Sequence, residues 1–461
     1  MKNPEDSLPA GVLVAWYGDD FTGAAAVMEV LAFAGLQTML FLQPPSDEQL
    51  ARYPNLKGVG VASTARAQSP DWMSKELPEV FSKLKALKPQ IIHYKICSTL
   101  DSSPEVGSIG RAIEIGADHF ASALVPVLVA APQMGRYQVF GHLFAAMGDE
   151  IYRLDRHPVM ARHPVTPMAE SDVALHIAKQ SNRLDIGLLT AENLTSEAQT
   201  LPAAKPTETG RIAAVTLDCL DAASEANAGR RIWQQRQENR FVVGSQGIEY
   251  ALVRHWQDSG LLTASTPPQS IGRADKMVVV SGSVSPTTAG QIAWSRNNGF
   301  ACMAFDAASV CGGASAIEDE ITRVVDAALS ALAQGQATLI HTAEGPDDPA
   351  VDRFTREVAN SNLSMSAANQ MVGEALGQIL HRVLDRSGAR RAVVSGGDTS
   401  GHATRQLGIF ALSALAPTIP GAAIFKAHAD GPMDGLELAL KGGQMGSHDY
   451  FGWVRDGGGS R

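Results

Sequence analysis

Residues 12–34, VLVAWYGDDFTGAAAVMEVLAFA, contain a strand-like run, a charged turn and a helix-like run, and this order is typical of an α/β fold. Val12–Trp16 is short, apolar and partly β-branched, which predicts a buried strand. The Ala-rich segment Gly23–Ala34 predicts a helix, and Gln37–Leu42 predicts a second strand. The sequence therefore places Gly18-Asp19-Asp20 at the carboxyl end of the first strand.

The same alternation of apolar runs and amphipathic stretches continues along the chain and predicts two α/β domains. Residues 257–275, QDSGLLTASTPPQSIGRAD, are polar and contain Gly and Pro, so we expect domains at residues 1–256 and 276–461 with an active-site cleft between them. For the last six residues, DGGGSR, we expect no fixed structure. The further predicted strands are Ile91–Tyr94, Val125–Ala130, Arg240–Val243, Met277–Val280, Thr338–His341 and Ala392–Val394, and the further predicted helices are Asp71–Leu87 and Val106–Ile115.

The composition of the 461 residues is that of an ordinary globular protein, with 45% hydrophobic and 19% charged residues. The net charge of −10 argues against nucleic acid as a partner, because an acidic protein repels the phosphate backbone. We see no apolar stretch near the ~20 residues of a membrane helix and no signal peptide. The four cysteines form no C-x-x-C pair. We therefore expect reduced thiols and a cytoplasmic protein.

The adjacent carboxylates of Asp19 and Asp20 are the first candidate site. Two like charges side by side cost stability unless something uses them. They are suited to accept hydrogen bonds from hydroxyls, to serve as a general base or to hold Mg²⁺. The alternative is a plain helix N-cap, for which Asp is also a preferred residue.

A second candidate loop follows the predicted strand Ile91–Tyr94 and reads Lys95-Ile96-Cys97-Ser98-Thr99. A lysine suits a carboxylate or a phosphoryl oxygen, and the hydroxyls of Ser98 and Thr99 suit a polyol. An exposed lysine before a Ser-rich helix cap is an equally ordinary interpretation.

Two loops in the second half are rich in small residues. The segment Gly282-Ser283-Val284-Ser285 and the segment Gly396-Gly397-Asp398-Thr399 each stand between a predicted strand and a helix. Backbone N–H groups at a helix N-terminus bind phosphate, and Asp398 is a candidate for a metal or a ribose. Neither loop is a G-x-x-x-x-G-K-[ST] or G-x-G-x-x-G motif, and tight turns also select glycine. Together with Lys441-Gly442-Gly443, they nevertheless favour a phosphate site.

These segments together resemble the four-carbon acid sugar kinase family, and the resemblance extends over nearly the whole chain. Each motif is weak alone, but their number and order make a chance resemblance improbable. The matching segments are Asp19–Ala24 (family pattern D-D-x-T-G-A), Lys95–Ser102 (K-x-D-S-T-x-R-G), Pro132 with Gly135-Arg136, Thr166-Pro167 with Ser171, Gly282–Ser285 (G-S-x-S), Gly396–Thr399 (G-G-D-T) and Lys441–Gly443 (K-x-G).

The resemblance implies an N-terminal domain that binds a tetronate-like acid and a C-terminal domain that binds ATP. It places Asp19, Arg66 and Lys95 at the acid sugar. Asp20 or Asp19 would be the base, Lys95 would stabilise negative charge, and Mg²⁺ would bridge the phosphates, although no residue is assigned as its ligand. We expect sugar acid and ATP as partners and leave the choice between a monomer and a homodimer open. The residues implied at the nucleotide are Ser283, Ser285, Gly396, Gly397, Asp398, Thr399 and Gly443.

The chain departs from the family pattern in the second loop. Cys97 stands where the family has aspartate, and Asp101 stands where it has arginine. We therefore expect a 3-oxo or branched four- or five-carbon sugar acid, such as 3-oxo-tetronate or 3-oxo-isoapionate, rather than plain threonate or erythronate. Two alternatives remain open. One is a non-catalytic sugar-acid sensor, and the other is a different phosphate-handling enzyme, such as a sugar-phosphate isomerase or a hydride-transfer enzyme.

Overall fold

The computed structural model describes residues 7–163, 165–195 and 210–461, and it does not describe the side chain of Asp398. The chain forms two compact units, residues 1–266 and 267–461, and each has parallel strands with helices between them. This confirms the predicted fold class of two α/β domains. The division falls within the predicted boundary segment, but the limits of 1–256 and 276–461, and the cleft between the domains, stay predictions.

Within its described residues, the first unit has an all-parallel sheet of eight strands in the order β2-β3-β1-β4-β11-β5-β10-β9, and a small antiparallel sheet, β6-β7-β8. Its strands are β1 (Val14–Gly18), β2 (Thr38–Phe41), β3 (Gly58–Ala62), β4 (Ile91–Lys95), β5 (Leu124–Leu128), β6 (Arg136–Val139), β7 (His142–Met147), β8 (Glu150–Arg153), β9 (Leu184–Leu189), β10 (Ile212–Leu217) and β11 (Phe241–Gly244). Its helices are α1 (Phe21–Phe33), α2 (Asp47–Ala51), α3 (Pro70–Ala86), α4 (Ile109–Phe120), α5 (Val173–Ala178), α6 (Ala191–Thr195), α7 (Ala222–Gln234) and α8 (Gly247–Asp258).

The second unit has a sheet in the order β13-β14-β12-β15-β18-β17-β16. In this sheet β17 is antiparallel to both of its neighbours, β18 and β16, and the other neighbouring pairs are parallel. Its strands are β12 (Met277–Ser281), β13 (Phe300–Ala304), β14 (Ala337–His341), β15 (Arg391–Ser395), β16 (Ile409–Ala416), β17 (Ile424–Ala429) and β18 (Glu437–Lys441). Its helices are α9 (Pro286–Arg296), α10 (Gly313–Ala333), α11 (Pro349–Asn360), α12 (Met365–Ser387), α13 (Gly397–Gln406) and α14 (Tyr450–Arg455).

The predicted strands and helices are present, with ends shifted by up to five residues. Every residue of β1, β4, β12 and β15 is buried, as expected of central parallel strands covered on both faces. The expectation for the last six residues is wrong. The carbonyl of Gly457 accepts a hydrogen bond from Ile271 N (3.0 Å), and Arg461 pairs with Asp449 at 2.6 Å. Backbone hydrogen bonds thus fix a segment whose glycines alone suggested freedom.

Among the described residues, no helix combines the length and the apolar character needed to span a lipid bilayer.

The close packing of β1 against β3 depends on Gly60. This residue pairs with Trp16 across the two strands, and a Cβ atom at position 60 would collide with the indole ring of Trp16, which is fully buried. We expect Gly60→Ala to lower the free energy of unfolding by about 1–3 kcal/mol, because the indole has no space into which it can move.

Urea denaturation of wild type and variant measures this difference. Gly187→Ala is the matched control, since Gly187 also lies in a parallel strand but a Cβ there meets only the carbonyl of Ala214 at 4.0 Å. Equal destabilisation by the two substitutions would contradict the packing argument.

Candidate active site

Three neighbouring strands of the first unit deliver charged side chains to one place. In the order β3-β1-β4, the segments that follow the strand ends carry Arg66, Asp19 with Asp20, and Lys95. Backbone hydrogen bonds hold these segments together: Asp19 N donates to the carbonyl of Lys95, and Arg66 N donates to the carbonyl of Asp19, both at 2.9 Å. The structure therefore brings together the charged residues that the sequence predicted at the acid sugar.

Arg66 bridges both carboxylates of the aspartate pair. Its Nε and Nη2 atoms donate to the two oxygens of Asp19 at 3.2 and 2.7 Å, and Nη2 also lies 2.5 Å from Oδ1 of Asp20. Asp20 is at the same time the N-cap of α1, since its Oδ1 accepts from Gly23 N at 3.0 Å. The N-cap alternative is thus correct for Asp20, but it does not account for the buried Asp19.

The two carboxyl groups differ in their electrostatics. Burial raises the pKa of Asp19 above its ordinary value, although Arg66 acts against this. Burial also acts to raise the pKa of Asp20, but Arg66, Lys95 and the Gly23 N–H outweigh it and bring this pKa below the ordinary value. Asp20 is therefore ionised at neutral pH, and its side chain is the more exposed of the two, at 25% against 4%.

Lys95 is buried beside the aspartate pair. Its side chain is 2% exposed, and within the described residues its one ion-pair contact is with Oδ1 of Asp20 at 4.0 Å. A Cβ atom at position 23 would collide with Nζ of Lys95 and with the Asp20 carboxylate, so a side chain there would displace both groups. The ammonium group is thus held against the start of α1 with most of its hydrogen-bonding capacity unused.

The loop after Lys95 is a tight turn in which Leu100 has φ 54° and donates from its N to the carbonyl of Cys97 at 3.1 Å. The Cys97 sulfur contacts Oγ1 of Thr99 at 3.1 Å, and Ser98 is half-buried. Asp101, which stands where the family pattern has arginine, has its own partner in this loop. It accepts a hydrogen bond from Thr166, whose Oγ1 also lies 2.9 Å from Nδ1 of His163.

Arg136, at the start of β6, has an unusual environment. Its Nη1 donates to three backbone carbonyls, those of Met134, Gly135 and Ala146, at 3.1–3.3 Å. Within the described residues no carboxylate forms an ion pair with it, and its Nε is buried without a hydrogen-bond partner. Burial lowers the pKa of Arg136, and the nearby Cys97 and Tyr137 offset only part of this effect.

In the second unit, hydroxyl groups cluster at the start of α9. Ser285 is the N-cap of this helix and accepts from Thr288 N at 3.1 Å. The hydroxyls of Ser285 and Thr288 both donate to the carbonyl of Gly443, at 2.5 and 2.9 Å, and Thr288 Oγ1 lies 3.0 Å from the Ser283 hydroxyl. Gly443 has no space for a side chain, because a Cβ there would collide with Ser283. The structure therefore brings Ser283, Ser285 and Gly443 together, as predicted.

The Gly396–Thr399 loop lies next to this cluster. Gly396 has φ 126°, a conformation that favours glycine, and it precedes α13, which begins at Gly397. A Cβ atom at position 396 would lie 2.9 Å from Oγ1 of Thr399 and 3.6 Å from the backbone N of Ser283. The prediction for Asp398 lies outside the described side chains. Gly396 thus lies near Ser283, and Thr399 lies near Gly282, at the carboxyl ends of β12 and β15.

Sequence reasoning included Lys441 only as part of a candidate phosphate loop, and it did not consider Thr288. Lys441 ends β18, is 1% exposed, and donates to Oγ1 of Thr288 at 3.4 Å and to the carbonyl of Gly442 at 3.0 Å. Within the described residues no carboxylate pairs with it. The K-x-G pattern was the signal that could have identified this lysine.

Among the described residues, no group of three or more His, Cys, Asp and Glu side chains is arranged to hold a metal ion. Two histidines of the first unit accept backbone hydrogen bonds instead: Nδ1 of His157 accepts from Val159 N, and Nδ1 of His163 accepts from Thr166 N.

The first unit holds a buried cluster of carboxylate, arginine and lysine side chains. The second unit has hydroxyl and glycine residues at strand ends that precede helix N-termini. These two features together are typical of kinases that act on small polar molecules. Comparison with known proteins agrees with this class. A family model described as a sugar-binding N-terminal domain matches residues 14–252, and one described as a nucleotide-binding C-terminal domain matches residues 278–451.

Two curated relatives are similar to the chain over almost its full length. A 3-oxo-isoapionate kinase from Paraburkholderia graminis is 44% identical over 97% of this chain and 95% of its own length. A 3-oxo-tetronate kinase from Pseudomonas savastanoi is 27% identical over 95% and 96%, respectively. A crystal structure from Salmonella typhimurium LT2, provisionally named a tRNA synthase, matches with a TM-score of 0.76 and 25% identity over 96% of this chain and 98% of that one.

The chain therefore belongs to the four-carbon acid sugar kinase family, and it is an ATP-dependent sugar-acid kinase. The alternatives of a non-catalytic sensor and of another sugar-phosphate enzyme are not favoured by these relatives.

The buried Lys441 has a measurable effect on stability. Burial lowers its pKa to about 8, whereas a lysine in an unfolded chain has a pKa near 10.4. Between these values the unfolded chain binds more protons than the folded one, so the free energy of unfolding must rise with pH from about 8 to 10. We expect Lys441→Met to lose this rise and to be more stable than wild type at pH 7, by up to a few kcal/mol.

Urea denaturation of the protein without nucleotide, at several pH values between 7 and 10, measures the effect. Lys426→Met is the control, since Lys426 is an exposed lysine of the same sheet. A rise with pH in Lys441→Met as large as that in wild type would show that another group is responsible.

Proposed function

We propose that the chain transfers the γ-phosphate of ATP to a hydroxyl of a 3-oxo, branched sugar acid of the 3-oxo-isoapionate type, in the cytoplasm. The support for this substrate is the 44% identity to the Paraburkholderia graminis kinase over nearly the full length, against 27% to the 3-oxo-tetronate kinase. The small side chain of Cys97, where the family pattern has aspartate, agrees with a substrate that carries an extra substituent.

The observation that carries the mechanism is the junction of Asp19, Asp20, Arg66 and Lys95 at three strand ends. Phosphoryl transfer needs the acceptor hydroxyl positioned, its proton accepted and the negative charge stabilised. Asp20 is the better base, because it is ionised and its side chain is partly accessible. Asp19 holds Arg66 with both oxygens and therefore acts as a positioning residue.

Lys95 supplies positive charge where the phosphoryl group arrives. Its ammonium lies 4.0 Å from the Asp20 carboxylate, so a hydroxyl that donates to Asp20 comes within reach of this charge. A lysine that is buried and still has free donors stabilises developing negative charge better than an exposed one, because the local dielectric constant is low.

The second unit would hold the triphosphate. The backbone N–H groups at the start of α13 and the hydroxyls around Gly443 are donors of the kind that phosphates bind. Lys441 would add the positive charge. Mg²⁺ in kinases is bound by one or two protein oxygens together with the phosphates, and the hydroxyl of the half-buried Ser283 is an oxygen ligand that fits this. The ion would neutralise phosphate charge.

The substrate assignment is tested on a panel of 3-oxo-isoapionate, 3-oxo-tetronate, D-threonate and D-erythronate. We expect the highest kcat/KM with 3-oxo-isoapionate, at least about 10-fold above 3-oxo-tetronate, because small differences in fit are worth 1–3 kcal/mol. An enzyme-linked measurement of ADP formation gives the rates. Efficient turnover of D-threonate alone would contradict the assignment.

The base assignment is tested with Asp20→Asn. Asparagine keeps the N-cap of α1 but cannot accept the proton, so we expect kcat to fall at least about 100-fold while the protein stays folded. Asp172→Asn is the matched control, because Asp172 is an N-cap in the same unit, on α5, and accepts from Leu175 N at 2.9 Å. An Asp20→Asn enzyme with wild-type kcat would exclude Asp20 as the base.

A further inference from the structure

Two arginines of the first unit differ in whether the Nε–Nη2 edge of the guanidinium group is engaged. Arg66 donates from Nε and Nη2 to both oxygens of Asp19, which is the side-on bidentate arrangement. In Arg136 only Nη1 is engaged, with three backbone carbonyls. Its Nε is buried and unpartnered, and its Nη2 donates no hydrogen bond to any described residue. The edge that binds carboxylates is thus free in Arg136.

The backbone places Arg136 at the same edge of the sheet as the aspartate pair. Ile96 N donates to the carbonyl of Gly244 at 2.7 Å, and Ser245 N donates to that of Leu128 at 3.0 Å, so the ends of β4, β11 and β5 are aligned. The chain then turns, and Ala131 and Arg136 exchange two backbone hydrogen bonds, of 2.9 and 3.2 Å. These bonds fix the start of β6 against Ala131, which lies three residues beyond the end of β5.

Cys97 is near enough to both arginines to affect the pKa of each guanidinium group. The Cys97 sulfur interacts with the guanidinium groups of both Arg66 and Arg136 and acts to raise the pKa of each, although burial acts in the opposite direction. An aspartate at position 97, as in the family pattern, would be a counter-ion for Arg136. With cysteine there, Arg136 is a half-buried cation to which the described residues offer no carboxylate.

A half-buried cation with a free bidentate edge is costly unless an anion binds to it. We propose that Arg136 binds the carboxylate of the sugar acid through Nε and Nη2, and that Cys97 is the specificity-determining residue that leaves this edge open. This inference rests on the proposed function, and it assigns the acid group to Arg136 while the reacting hydroxyl lies at Asp20.

The test compares each acid with its carboxamide, which has the same shape without the charge. In wild type we expect the acid to have a KM about 10- to 100-fold below that of the carboxamide, because a charged bidentate pair is worth more than a neutral hydrogen bond. In Arg136→Gln we expect the KM of the acid to rise by about the same factor and the preference for the acid to disappear. The KM of ATP should change less than twofold.

Three further variants make the test specific. Arg153→Gln is the matched control, since Arg153 lies in the same small sheet but is paired with Asp155; its KM for the acid should equal that of wild type. Cys97→Asp should raise the KM of the acid, and Cys97→Ser should not. A preference for the acid that survives in Arg136→Gln, or an equal loss in Arg153→Gln, would overturn the inference.

A measurement on wild type does not depend on the folding of a variant. The half-buried Cys97 is alkylated with iodoacetamide, and the modified peptide is quantified by mass spectrometry. The acid should slow the modification at concentrations near its KM and the carboxamide should not; equal protection by both would overturn the inference. If wild type turns over no acid of the panel, the proposed function fails. If it turns over one and Arg136→Gln binds that acid equally well, this inference alone fails.

Discussion

The bidentate pair between Arg66 and Asp19 is the interaction on which the sugar-acid site depends. A buried carboxylate is stable only with a well-placed partner, and Arg66 reaches Asp19 and Asp20 at once. The parallel order β3-β1-β4 makes this possible, because the carboxyl ends of neighbouring strands deliver the two segments to one edge of the sheet. Asp20 can then remain ionised beside a second carboxylate, since the arginine compensates the repulsion.

The second unit uses a different device for a different ligand. There the strand ends carry glycine and hydroxyl residues, and the close approach of Gly443 to Ser283 and of Gly396 to Thr399 leaves backbone N–H groups and hydroxyls facing a common region. Lys441 is the exception, a buried cation among neutral donors. Like Arg136 in the first unit, Lys441 lowers the free energy of unfolding, and a bound anion would compensate for this loss.

The sequence predicted much of this because the relevant signals are local. Asp19-Asp20 after a short apolar run, and two small-residue loops between a strand and a helix, depend on only a few neighbouring residues. The sequence could not predict in the same way that no carboxylate of the described residues pairs with Arg136 or Lys441, because this is decided by segments distant in the chain. The carboxyl-terminal glycines were misjudged for the same reason: Gly457 and Gly459 bond to residues 271 and 417.

The most direct test of the central claim is calorimetry on the full chain, titrated first with a non-hydrolysable ATP analogue in the presence of Mg²⁺ and then with 3-oxo-isoapionate. If the second unit holds the triphosphate and the first unit holds the acid, each ligand binds with a stoichiometry of one, and Arg66→Met abolishes only the heat of acid binding. An absence of nucleotide binding by the wild-type protein, or acid binding that survives the loss of Arg66, would contradict the account.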